Sequence, residues 1–197
     1  MRRLPGRLRL AMMVSAAVLA GSLLSAPGQV EPAMPLPPEL VAAWMKAGAK
    51  TGWMTTDDVS RGFREGMEGM KGELPAFRFF VCKDGVVGKL PHPQRAFGLD
   101  LAKTKVTDIG LKEVAALKSL QSLELGATQV TDAGLKELAG LKGLQSLSLG
   151  ATKVTDVGLK ELAALRNLQW LGLMGTKVTD AGVAELQKAL PKLKIDR

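Results

Sequence analysis

Tyrosine is absent from the 197-residue chain, which holds one cysteine, one histidine, three tryptophans and five phenylalanines. Each scarcity excludes something. Cys82 alone can form no intramolecular disulfide, so an exported chain of this kind must hold together by packing. His92 is the only histidine base available to activate the thiol, and it lies in a Pro-His-Pro stretch; Cys82 therefore reads as a small apolar residue, not a nucleophile. Without tyrosine, and with most phenylalanines before the repeats that begin at Phe97, there is no aromatic and basic stacking surface for nucleic acid. Acids are missing from residues 1–26, where Arg2, Arg3, Arg7 and Arg9 supply four units of the +8 net charge. Past that segment 23 bases face 19 acids, an interleaved balance too mild to predict phosphate-backbone binding.

What is present begins with four arginines followed by an uncharged run from Leu10 to Ala26, the layout of a secretory signal. Export is the expectation, to the periplasm, cell envelope or exterior. Small-residue cleavage sites follow Ala20 and Gly28, and the alternative is an uncleaved membrane tether through residues 10–26. Residues 27–38, with their prolines, read as a linker. Pro38–Lys50 places Leu40, Val41, Trp44, Met45 and Gly48 at helical spacing, predicting a helix that closes one end of the fold. The glycine-rich stretch 51–73 carries no clear element, beyond Thr55 or Thr56 as the cap of a short helix.

From Phe97 onward the chain repeats every 24 residues. Leu99, Leu123, Leu147 and Leu171 form one column; Thr104, Thr128, Thr152 and Thr176 another. Val106 to Val178, Asp108 to Asp180 and Gly110 to Gly182 follow the same step. A fixed period of this length means a stacked solenoid. The alternation at Leu123 and Leu125 predicts a strand, and Leu135, Leu138 and Leu141 a short outer helix facing it. Thr131 and Asp132 are placed to cap that helix, and the column of Thr128 to form a hydroxyl ladder between turns. The acidic column reads as helix-start caps, not as a metal site, because no glycine-rich acidic loop accompanies it. Leu74, Phe77 and Phe79 copy the spacing of Leu120, Leu123 and Leu125 and predict a degenerate first unit with a turn at Asp84-Gly85. In GVAELQKALPKLKI, Leu190 and Leu193 fall one residue late, which with Pro191 predicts a C-terminal cap.

The motif L-x-x-L-x-L-x-x-T-x-V-T-D-x-G-L-K-E-L, over Phe97–Ile195, resembles the leucine-rich repeat family, in particular bacterial secreted proteins built on TKVTDAGLKELAGLK. It is also similar to the cysteine-containing repeats of F-box adaptors, with threonine in the Asn/Cys column; no F-box is visible. The resemblance implies an α/β solenoid, a short horseshoe with a parallel concave sheet, convex short helices and an N-terminal helical or hairpin cap. It implies a concave face that binds a protein or a polysaccharide, with no cofactor and no catalysis.

Strand alternation puts Gly98, Asp100, Ser122, Glu124, Ser146, Ser148, Trp170, Gly172 and Met174 on that face. Trp170 and Met174 are the candidate hot spot, since serine holds the position of Trp170 in the two preceding units. Asp100, Glu124, Ser122, Ser146 and Ser148 complete the expected partner-binding set; the alternative for Trp170 is that it covers the end of the sheet. A glycosidase using Asp100 and Glu124 is disfavoured because a shallow arc offers no pocket. The expected organisation is thus a signal or anchor (1–26), a linker (27–38), a capping region (39–96) and repeats with their cap (97–197). A non-catalytic envelope spacer is the alternative to an interaction module.

Overall fold

The computed structural model describes residues 35–56, 62–66, 68–70 and 72–197. All of them belong to one unit, Glu31–Arg197. The expected signal segment, most of the linker and the residues after Thr56 that would form a short helix lie outside the described residues.

Among the described residues a single eight-stranded sheet has the order β2-β1-β3-β4-β5-β6-β7-β8. β1 (Ala49–Thr55) pairs antiparallel with both β2 (Arg64–Glu65) and β3 (Glu73–Phe79). From β3 on, every neighbour is parallel: β4 (Phe97–Asp100), β5 (Leu120–Glu124), β6 (Ser146–Ser148), β7 (Trp170–Gly172) and β8 (Lys194–Asp196). The predicted solenoid is therefore present. The degenerate first unit is present too, since Phe77 aligns with Leu99, Leu123, Leu147, Leu171 and Ile195. The chain past Pro191 differs from expectation. Leu190 and Leu193 are late, but only one residue separates Leu193 from Ile195, so the register recovers and β8 adds a further strand.

Outer helices α2 (Asp108–Val114), α3 (Asp132–Leu138), α4 (Asp156–Leu159, continued by a 3-10 turn over Lys160–Ala164) and α5 (Asp180–Ala189) cover the convex side. The leucine columns of strand and helix are almost wholly buried between them. Each such side chain contributes on the order of 1.5–3 kcal/mol of burial. No unit could bury its apolar face without its neighbours.

The first helix, α1 (Pro38–Lys46), stops one turn earlier than predicted, at a glycine with φ +97°, and the chain enters β1 at Ala49. As expected it closes the stack. Trp44 stacks on Phe77 with centroids 4.3 Å apart, meets Phe97 edge-on, and its indole N–H donates to the Pro91 carbonyl at 2.9 Å. The antiparallel pair of the cap is β1 with β3, and the predicted turn at Asp84-Gly85 is present, Gly85 having φ +87°. Glu73 anchors it, accepting from Arg64 Nε at 3.0 Å and from the Met70 amide at 2.6 Å.

The polar columns differ from the expected ladder. Thr104, Thr128, Thr152 and Thr176 each donate to a carbonyl three residues back, at 2.6–2.7 Å, so each closes its own turn and reaches no neighbouring threonine. The tie between units is the acid. Asp108 accepts the Thr131 amide (2.8 Å) and hydroxyl (2.6 Å), Asp132 does the same for Thr155, and Asp156 for Thr179. The helix cap is the threonine alone: Thr131 Oγ accepts from the Ala133 amide. The series starts one unit earlier than the motif suggests, because Asp84 takes the Thr107 amide and hydroxyl at 3.0 and 2.6 Å. This arrangement also explains the glycine column. A Cβ on Gly134 would run into Asp108 Oδ1, and one on Gly110 would lie 2.6 Å from Asp84 Oδ1. Thr-Asp-x-Gly is thus one device spread over two units.

Candidate ligand-binding face

The concave side presents, strand by strand, Ala76 and Arg78, Gly98 and Asp100, Ser122 and Glu124, Ser146 and Ser148, Trp170 and Gly172, then Lys194 and Asp196. Its first third is not open. The Met54 side chain of β1 lies against Gly98, where an added Cβ would come within 2.9 Å of Sδ, and Met54, Phe63 and Ala76 form a small buried cluster. Arg78 spreads over Phe63 with its Cζ 4.5 Å from the ring centroid.

Asp100 is consequently 3% exposed and not a free surface acid. Arg78 donates to its Oδ2 from Nε at 2.6 Å, and the Ala102 amide donates to Oδ1 at 2.9 Å. With both oxygens taken, Asp100 is unfit for the proton traffic that a carboxylate pair would need. Ser122 and Ser146, expected on the surface, are 1% and 0% exposed, and neither hydroxyl has a hydrogen-bond partner among the described residues. A serine reaches only one atom past Cβ, so in a curved sheet it sinks between taller neighbours; Trp170 is the register partner of Ser146.

Glu124 is half-buried. Burial pushes its carboxyl up to about 7, with the Asp100 charge adding to the rise and Ser148 and Arg78 opposing it. Near neutral pH this group is part acid, part anion. Ser148, beside it, is half-buried.

The open end of the face is at β7. Trp170 is half-buried, and its ring lies across Gly172, where a Cβ would clash with the indole carbons. Glycine at 172 is therefore what lets the ring lie along its own strand. Met174, two residues on, is 64% exposed. Beside Trp170, at the start of β7 and β8, a cavity of about 350 Å³ is walled by Gln169, Arg166, Lys192 and Lys194. Of the seven expected partner residues, the structure leaves Met174 open and Trp170, Glu124 and Ser148 partly so, and removes Asp100, Ser122 and Ser146 from the surface. Sequence reasoning missed the cationic wall, because it read the stretch past Pro191 as a cap and so did not place Lys194 on a strand beside Trp170.

The unit built from Ala116 to Ala139, closing one helix, crossing β5 and running through α3, matches the model of the leucine-rich repeat family over residues 116–139. These units are leucine-rich repeats. The parallel sheet with its outer short helices is an α/β leucine-rich repeat solenoid. Among solved structures, a leucine-rich repeat protein of Leptospira interrogans is 32% identical over 51% of this chain and 25% of its own, with a TM-score of 0.42. An internalin of Listeria monocytogenes is 24% identical over 50% of this chain and 34% of its own (TM-score 0.37), and internalin C2 of the same species 20% identical over 80% and 81% (TM-score 0.34). The chain thus spans about a quarter of the Leptospira protein it matches. No curated protein matches it.

Within the leucine-rich repeat frame, Cys82 is buried and its thiol is pushed up to about 11, chiefly by burial. That agrees with a packing role.

Proposed function

We propose that the chain is an exported, non-catalytic interaction module whose partner, a protein, docks on the β7–β8 end of the concave face. The observation that carries the reading is Trp170, whose ring lies over Gly172, with Met174 exposed four residues further along the chain. A half-buried aromatic and an exposed methionine in the same repeat unit are the composition of an interface anchor. Arg166, Lys192 and Lys194 along the adjoining cavity favour a partner surface with acidic groups around an apolar centre. Asp100 held by Arg78 supports the absence of a catalytic carboxylate pair. Export rests on the layout of residues 1–26, four arginines and then an uncharged run.

The test is capture of the native partner from the envelope fraction by the wild-type chain and by Trp170→Ala with Met174→Ala. Expected is a loss of roughly 2 kcal/mol or more of binding, about thirtyfold, with the melting temperature little changed. Unchanged capture would refute the anchor and leave an envelope spacer as the better reading. Elution of a polysaccharide instead of a protein would keep the site and change the partner class.

A further inference from the structure

At the opposite end of the sheet, where β3 leaves the N-terminal cap, Phe80 and Val81 stand out of the fold at 58% and 86% exposure. Val81 is the most exposed large apolar side chain among the described residues. Apolar groups at a tip with no packing role mark a contact surface. Several cationic side chains stand around them. Lys50 lies 5.7 Å and Arg78 5.9 Å from the Phe80 centroid. Lys83, Lys103 and Lys105 line, with Phe80 and Val81, a shallow cavity of about 450 Å³.

Nearby acids are all engaged elsewhere. Asp84 is held by Thr107, Glu113 accepts the Gly85 and Gly88 amides, Glu65 pairs with Lys50, and Asp100 with Arg78. Among the described residues no ion pair is recorded for Lys83, Lys103 or Lys105, and all three are exposed. Lys103 is also a departure from the repeat. It occupies a left-handed turn position (φ +61°) whose equivalents are Ala127, Ala151 and Gly175. The turn itself asks for a small residue there, so the charge is an addition to the repeat's own needs.

From this geometry we infer that the Phe80–Val81 tip docks on an anionic lipid surface, its two apolar side chains entering the headgroup boundary while Lys83, Lys103 and Lys105 meet lipid phosphates. An apolar pair ringed by unpaired lysines is complementary to such an interface in both layers: hydrocarbon below, phosphate above. An acidic protein would match the lysines but would have no need of two side chains so far out of the surface. The inference is independent of the concave-face reading, since it concerns the other end of the sheet.

The test uses the full chain carrying Phe80→Trp, mixed with vesicles of brominated phosphatidylcholine containing about 30% phosphatidylglycerol, a typical anionic surface. Bromine quenches an indole only in contact range, so the quenching gained over the wild-type chain, whose Trp44, Trp53 and Trp170 set the background, reports the tip. Quenching of the added emission is expected with these vesicles, little with phosphatidylcholine alone, and less at high salt. Lys83→Glu, Lys103→Glu and Lys105→Glu together are expected to weaken it about a hundredfold, at about a fivefold loss or more per lysine. Val81→Ser alters a side chain that supports no packing, so it should weaken quenching several-fold while leaving the melting temperature unchanged. Three results would overturn the inference: vesicle binding without quenching at position 80, equal quenching by neutral vesicles, or retention on an acidic protein surface with no bromolipid quenching.

Discussion

Replacing Gly134 with alanine should destabilise the protein, although alanine is the better helix former by about 1 kcal/mol in a helix interior. Gly134 lies in the first turn of α3, and an added Cβ would run into Asp108 Oδ1 of the preceding unit, come within 3.0 Å of its Cγ and within 2.9 Å of Leu111 Cδ1. Leu111 offers the flexible end of a side chain and can give way. Asp108 cannot move without loosening its bonds to the Thr131 amide and hydroxyl, at 2.8 and 2.6 Å. Two hydrogen bonds to a part-buried carboxylate contribute about 2–3 kcal/mol together. Against the propensity gain, the net expectation for Gly134→Ala is a loss of about 1–2 kcal/mol. Asp108→Ala should cost about 2–3 kcal/mol for the same two bonds. In the Asp108→Ala background, however, Gly134→Ala should be neutral or stabilising, because the obstacle has gone. Equilibrium urea denaturation of the four proteins measures the coupling, expected near 2 kcal/mol. A stabilising Gly134→Ala in the wild-type background, or costs that simply add, would refute the linked Thr-Asp-x-Gly account.

Three further expectations follow from other sites. Glu124 has a folded-state pKa raised from 4.5 to about 7, so between those values the folded chain keeps a proton the unfolded chain has lost. Stability should therefore fall as pH rises through that window, by at most about 3 kcal/mol, and level off above it; thermal melts at pH 5 and 8 should show a smaller difference for Glu124→Gln. With its thiol raised to about 11 and buried, Cys82 should resist iodoacetamide at neutral pH and react only as the chain unfolds in denaturant; fast alkylation of the folded protein would contradict its burial. Trp44→Ala should cost about 3–5 kcal/mol, because it removes the ring stacked on Phe77 and the bond to the Pro91 carbonyl, readable as a lowered denaturation midpoint.

The repeat made much of this legible in advance. A leucine every 24 residues can be buried only by stacking, and strand and helix follow from the spacing inside each unit, so the solenoid, its parallel sheet and the Phe77 unit were there in the chain itself. Thr131 as the cap of α3 was equally legible, because a cap is local. What crosses from one unit to the next was not. Asp108 looks like a cap for its own helix, and only the stacked structure shows it holding Thr131, 23 residues away, with Gly134 left bare to make room. The concave face divides the same way. Alternation fixed which side Asp100, Ser122, Ser146 and Trp170 point to. Their exposure was decided by neighbours from other parts of the chain, with Arg78 claiming Asp100, while Gly172 lets Trp170 lie flat along its own strand. The sequence by itself determined periodicity, element type and facing, which are properties of local spacing. Which faces stay open, which acids stay free and which side chains a partner can touch were decided by tertiary structure, because burial and hydrogen bonding are shared between residues that the chain brings together only when it stacks.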